Sequence, residues 1–340
     1  MLSRAVVAGV GVLLLAGCAS GSDPGEPTVS VTTGDSGAGG NGTVYTSLRD
    51  TAAGTLTVTG HPISGDGSLG PSVTLLAEPA DDTTYPFVVD GLGSTTVTGT
   101  FTDYWTTDLQ VRADGQVTGE VAAPRWCGGE GLSYNPCALL DSTRLARTTE
   151  LGRDPETGDG PSEGSVLVSS LEDGSTLAEF GPFADLSMML GTGSPDEVLI
   201  VTTPAQSAED PDVPSTVLRV DATDGSTSEI GVSPPGWAPV CPIGEDSVLG
   251  FTTQGTSTAS VVGPAQVAAI VWEQQDSVVG CSADGRFLYV QRIPQPPTEE
   301  MEDTEPPNPS TALERITLAD GSRSEVLVVP PGEIAAPITR

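Results

Sequence analysis

A strand, an Asp-Gly pair and a second strand recur along the chain. The copies read LQVRADGQVTGEV (109–121), VLVSSLEDGSTLAEF (166–180), VLRVDATDGSTSEI (217–230) and LERITLADGSRSEVL (313–327). Asp-Gly between alternating strands is a hairpin signal, because both residues tolerate positive φ in a two-residue turn. The pairs begin at 114, 173, 224 and 320. The last interval is close to twice the others, which places a missing copy near 265. There ASVVGPAQVAAIVWEQQ (259–275) is expected to form a hairpin turning at Gly263-Pro264.

A second hairpin precedes these. APVCPIGEDSVLGFTTQ (238–254), SVVGCSADGRFLYVQRI (277–293) and DLSMMLGTGSPDEVLIVTT (185–203) each place a small-apolar strand before a tight acidic turn and another strand. Together the two elements make a unit of four strands, the repeat of a β-propeller blade. The units resemble TolB-like and WD40-like repeats, most closely at SADGRFLYV (282–290), without the Trp-Asp and Gly-His marks of WD40. The resemblance implies an all-β propeller. Blades are expected at 85–121, 123–180, 184–230, 237–272 and 277–329. The three strands within 43–77 are completed by EIAAPIT (333–339), so strands from both termini close the ring. This parsing yields six blades, with seven as the next choice. The other fold considered is a β-sandwich over 43–121 followed by a smaller propeller-like domain.

Before the repeats, Arg4 leads an apolar run from Ala5 to Gly17, too short to span a bilayer, which needs ~20 residues. It ends Leu15-Ala16-Gly17-Cys18, which resembles the lipobox of bacterial lipoproteins at all four positions. The resemblance implies a signal peptide over 1–17 and a diacylglyceryl cysteine at Cys18, with acyl chains holding the protein to the extracytoplasmic face of the cell membrane. Residues 18–42, rich in Gly, Ser, Thr and Pro, are expected to form a flexible tether. The propeller domain is expected over 43–340, as a monomer.

The chain has 13 arginines, no lysine and 46 acidic residues, a net charge of −33. That balance excludes nucleic-acid partners, whose phosphates need a basic patch. The Lys-free, acidic style resembles actinobacterial secreted proteins. Besides Cys18 there are Cys127, Cys137, Cys241 and Cys281. An even set in an exported chain points to two disulfides. Three pairings are possible, and Cys127–Cys137 with Cys241–Cys281 is preferred. No CxxC occurs and His61 is the one histidine, so no zinc site is expected.

No catalytic motif emerges. His61 lies in GHPISGDGS without a G-x-S-x-G partner motif and reads as a packing or surface histidine. Carboxylates are too many for sequence to select an acid–base pair, and aromatics, at 4%, are few for a sugar platform. No cofactor is expected. Calcium is the one ion considered, at Asp154, Glu156 and Asp159 or at Asp210 and Asp212, without EF-hand spacing. Trp105 and Trp272 read as turn and core residues. Trp126 and Trp237, each shortly before a cysteine, are expected at equivalent places in two blades. With Arg125, Tyr134 and Arg286 they make the candidate binding face. The function expected is a non-catalytic binding or scaffold propeller for an envelope protein, peptide or glycan. Its rival is a propeller enzyme, a hydrolase or quinoprotein-like oxidoreductase. A sensor or assembly factor is a third reading.

One outcome follows for the leader. Cys18→Ala should release the ectodomain or leave an unprocessed precursor, read by fractionation and mass of the N-terminal peptide. A normally processed, membrane-held mutant would contradict lipidation at Cys18.

Overall fold

The computed structural model describes residues 42–50, 53–79, 85–92, 95–102, 105–113, 116–122, 137–148, 163–204, 213–252, 258–271, 276–292, 311–329 and 333–339. Among them are strands and turns and no helix. Sheet I comprises β4 (Tyr85–Leu92), β5 (Thr95–Thr102), β6 (Trp105–Ala113) and β7 (Gln116–Ala122). Sheet II comprises β8 (Cys137–Leu139), β9 (Arg144–Thr148), β10 (Glu163–Ser170) and β11 (Thr176–Ala184). Sheet III comprises β12 (Leu186–Gly191), β13 (Glu197–Thr202), β14 (Thr216–Asp221) and β15 (Thr227–Val232). Sheet IV has β16 (Trp237–Pro242), β17 (Val248–Thr252) and β18 (Thr258–Val262). Sheet V has β19 (Asp276–Cys281), β20 (Phe287–Arg292), β21 (Thr311–Thr317) and β22 (Arg323–Val329). Sheet VI sets β23 (Glu333–Thr339) beside β1 (Thr43–Asp50), β2 (Thr55–Pro62) and β3 (Val73–Pro79).

Each sheet is an antiparallel meander, and the edge strands β4, β8, β12, β16, β19 and β23 adjoin one another in order and return to the start. That is a β-propeller. Thr43 pairs with Thr339, so the two termini share one sheet, as the sequence implied.

Middle strands are buried on both faces, and period-2 alternation sends each face to a different neighbour. In β13, Val198 and Ile200 join a cluster with Val166 and Val168 of sheet II. The alternate residues Leu199 and Val201 pack with Trp237 and Val248 of sheet IV. In β20, Leu288 and Val290 face sheet IV through Cys241 and Leu249, while Phe287 and Tyr289 face sheet VI through Val44 and Ile63. This two-sided burial is why these segments read as unbroken apolar runs.

Three expectations change. In three of the four Asp-Gly hairpins the loop is longer than two residues, whereas Ala113 pairs with Gln116 across the first, as a two-residue turn requires. Gly174 N–H donates to Ser170 O at 3.0 Å and Ser170 N–H to Ser175 O at 2.9 Å, closing a four-residue loop. The loops at Ala222–Gly225 and Leu318–Gly321 repeat this pattern. Only the glycine takes positive φ, at 71°, 74° and 73° for Gly174, Gly225 and Gly321. Next, the inner strand of sheet II is β8, so Trp126 and Cys127 do not sit in it as Trp237 sits in β16; both lie outside the described residues. Last, 265–271 does not complete sheet IV as a strand. Ala265 N–H goes to Ser247 Oγ and Ala268 N–H to Leu318 O, leaving Ala259 N–H to Ile270 O and a bridge from Thr258 to Val271.

Gly250 tests the seam between sheets III and IV. A Cβ there would lie 2.2 Å from the Trp237 ring and 2.4 Å from Ala238 O. Gly250→Ala should destabilise by about 1–3 kcal/mol through overpacking. Gly65→Ala, with nothing within 4 Å of its Cβ, should be near neutral. Equal thermal melts for the two variants would contradict this packing.

Candidate functional site

The ring has two unlike ends. At the first lie the Asp-Gly hairpins and the connections between the first and second strands of sheets I to V, together with the start of β1 and the end of β23 in sheet VI. Inter-sheet bonds knit these loops together. Arg144 Nε donates to Asp141 Oδ2 at 2.6 Å, and its Nη2 reaches Pro195 O at 3.1 Å, linking sheet II to sheet III. Arg219 of sheet III pairs with Asp246 at 2.9 Å and donates to Glu245 O in sheet IV. Cys241 and Cys281 close a disulfide between β16 and β19, with Cα atoms 6.0 Å apart. Arg286 and Arg315 of sheet V donate to Gly65 O and Asp66 O of sheet VI, and both guanidinium groups lie over the Phe287 ring. Tyr289 Oη donates to Gly67 O at 2.8 Å, and burial pushes its pKa well above the ordinary tyrosine range.

The acids of this end are turn formers. In three Asp-Gly-Ser copies the aspartate Oδ1 accepts the N–H of the serine two residues on: Asp173 from Ser175 at 3.1 Å, Asp224 from Ser226 at 2.8 Å, Asp320 from Ser322 at 2.9 Å. Asp66 and Ser68 form a fourth, at 3.0 Å. These bonds, the serine hydroxyl leading at Asp66, Asp173 and Asp320 and the serine N–H leading at Asp224, hold all four carboxyls below their ordinary pKa. At Asp284 burial acts upward, but bonds from Ser282 and Arg286 outweigh it and the pKa is lowered.

The other end carries the long connections. The segments 149–162, 203–215 and 293–310 join second to third strands in sheets II, III and V, and 123–136 leads from β7 to β8. The predicted face does not assemble as one surface. Trp237 opens β16 at this end but is buried, its indole in the III–IV seam and Nε1 3.5 Å from Ser260 O. It is a packing residue, corrected from a ligand platform. Arg286 lies at the opposite end, paired with Asp284 at 2.6 Å and bonded to Gly65 O, so it is a structural staple. Arg125, Trp126 and Tyr134 lie outside the described residues, as do Trp272 and the calcium candidates Asp154, Glu156, Asp159, Asp210 and Asp212. His61 is buried, its Nε2 3.1 Å from Thr46 Oγ1. Cys137 is disulfide-bonded, and its expected partner Cys127 lies outside the described residues. No group of three or more His, Cys, Asp or Glu suited to a metal occurs among the described residues.

One cation was missed by sequence reasoning. Arg147 stands opposite Cys137 on β9, half-buried, with Nε donating to Ser169 Oγ at 3.1 Å. Burial pushes its pKa down. A guanidinium held by a neutral hydroxyl, at the root of connection 149–162, suits an anionic group arriving from outside. Its strand context, RLART, carries no signal that distinguishes it from the stapling arginines.

The class defined here is the β-propeller, on the evidence of sheet order and ring closure. No family model and no curated protein matches the chain. Among solved structures, the β-propeller domain of the Trilobed protease from Pyrococcus furiosus is similar at 11% identity and a TM-score of 0.45, covering 83% of each chain. The putative TolB from Agrobacterium tumefaciens is similar at 8% identity and 0.40, covering 87% of this chain and 97% of that one. Oligogalacturonate lyase from Vibrio parahaemolyticus is similar at 9% identity and 0.43, covering 84% and 85%.

The depressed carboxyls set a pH dependence. A carboxyl with lowered folded pKa contributes stability above its unfolded value, about 3.9, and loses it as pH falls through the folded value. Replacing Asp173, Asp224 and Asp320 together by alanine should therefore lower Tm most above about pH 5, with the gap to the parent narrowing below about pH 3. A gap that stays constant down to pH 2 would remove ionised turn bonds as its cause.

Proposed function

We propose that this chain is a lipid-anchored extracytoplasmic lipoprotein whose six-bladed propeller serves as a non-catalytic binding or scaffold module for an envelope protein, peptide or glycan. The observation that carries the reading is the division of labour between the two ends. At the turn end Arg144, Arg219, Arg286 and Arg315 are engaged in holding neighbouring sheets together, and the turn aspartates in fixing their own hairpins. The other end bears the long connections, and with them Arg147 and the positions of Arg125, Trp126 and Tyr134. Loops set on a rigid scaffold are the usual carriers of recognition. The Leu15-Ala16-Gly17-Cys18 stretch supports the anchor.

Carboxyl-to-amine cross-linking on intact cells suits a chain with 46 acidic residues and no lysine, because cross-links then report partners rather than the chain itself. A recurrent partner, lost in Cys18→Ala, reduced by Arg147→Ala and joined through the long connections, is the expected result. Absence of any partner above background in the membrane-held parent would overturn the scaffold reading.

A further inference from the structure

We propose that the turn end of the propeller faces the bilayer and the end bearing the long connections faces away from it. This rests on the lipid anchor proposed above and adds an orientation to it. Thr43 pairs with Thr339 where β1 begins and β23 ends. Gly42 O accepts the N–H of Ile63, the residue that opens the β2–β3 connection. That connection carries Gly65, Asp66 and Gly67, the acceptors of Arg286, Arg315 and Tyr289. The chain upstream of Gly42 therefore joins the ring at the stapled turn end.

Cys18 lies 24 residues before Gly42 (42 − 18). A Gly/Ser-rich chain of that length has an r.m.s. span of about 27 Å. A seven-residue strand rises about 23 Å, so the opposite end stands roughly one strand height further from the point of attachment. Turning the ring over would require the tether to run back along the outside of the ring over its height of about 23 Å, using up most of a mean span of about 27 Å before it meets the bilayer. The exposed carboxylates of Asp173, Asp224 and Asp320 disfavour close docking of the turn end on anionic lipid, so attachment, rather than adhesion, sets the orientation.

The test uses the full lipidated protein in phosphatidylcholine vesicles with a nitroxide on a fraction of the headgroups. A fluorophore is attached through an azido amino acid placed at Ala319 in the β21–β22 turn, or at Ala53 in the β1–β2 turn. Both positions are exposed and lie at opposite ends of the ring. Quenching at least about twofold greater at position 319 than at 53 is expected. Equal or reversed quenching, with the protein still vesicle-bound, overturns the orientation and leaves the anchor standing. Protein that does not associate with vesicles, in parent and Cys18→Ala alike, removes the anchor and the orientation together.

Discussion

Two-sided burial of the middle strands is the constraint on which the ring depends. A strand whose odd residues pack one neighbour and whose even residues pack the other cannot satisfy itself in an isolated sheet. Val198 and Ile200 need sheet II, and Leu199 and Val201 need sheet IV. The same holds for β20 between sheets IV and VI. Each sheet is therefore stable only with neighbours on both sides, and an open row would leave two apolar faces in water. Closing the row into a ring removes both faces, and this gives the pairing of β23 with β1 its energetic weight.

The closing seam differs from the others. Sheet I turns Val97, Leu109 and Val111 toward sheet II, where they meet Leu139 and Leu145. Alternation turns Thr96, Thr98, Gln110 and Arg112 the other way, toward sheet VI. Arg112 is 5% exposed, with Nε donating to Thr98 Oγ1 at 3.3 Å and Nη2 to Gln110 Oε1 at 2.6 Å. Among the described side chains this face is polar and hydrogen-bonded. Buried polar groups are costly unless paired, and paired they specify one arrangement. The β23–β1 ladder adds main-chain bonds at the sheet that joins the two ends of the chain.

What could be read from sequence was whatever repeats. The four-strand unit and the terminal strand that completes sheet VI both leave periodic marks. The Asp-Gly pair was read correctly as a hairpin, and the two-residue turn fits the first copy, where Ala113 pairs with Gln116, but not the other three. The serine that follows it in three of the four copies, and after Asp66-Gly67, marks the bond the aspartate makes, and it was legible. Trp237 was misread because its burial depends on Gly250, thirteen residues on (250 − 237), which leaves room for the indole. Nothing local to Trp237 reports that room. Trp126-Cys127 imitated the approach to Cys241, whereas β8 is only three residues, Cys-Ala-Leu, too short to leave a period. Arginine staples were invisible for a related reason: their acceptors are mostly carbonyls in another sheet, and a carbonyl has no sequence signature.

Those staples also explain why scarce cations are a poor guide to a binding site in so acidic a chain. Long-range attraction would favour an arginine almost anywhere on this surface, so the mere presence of one says little. What distinguishes the turn end is geometry: a planar fork can grip a carboxylate and a neighbouring carbonyl together, which a point-charged ammonium does less well. Arg144 joins Asp141 to Pro195 O in this way, and Arg286 joins Asp284 to Gly65 O. An arginine so engaged is withdrawn from recognition, because freeing it would unpair a loop from the next sheet. Arg147 donates to Ser169 Oγ within its own sheet, so among the described residues it links no loop to the next sheet. The arginines that hold the ring are thus distinct, among the described residues, from Arg147, whose guanidinium donates within one sheet.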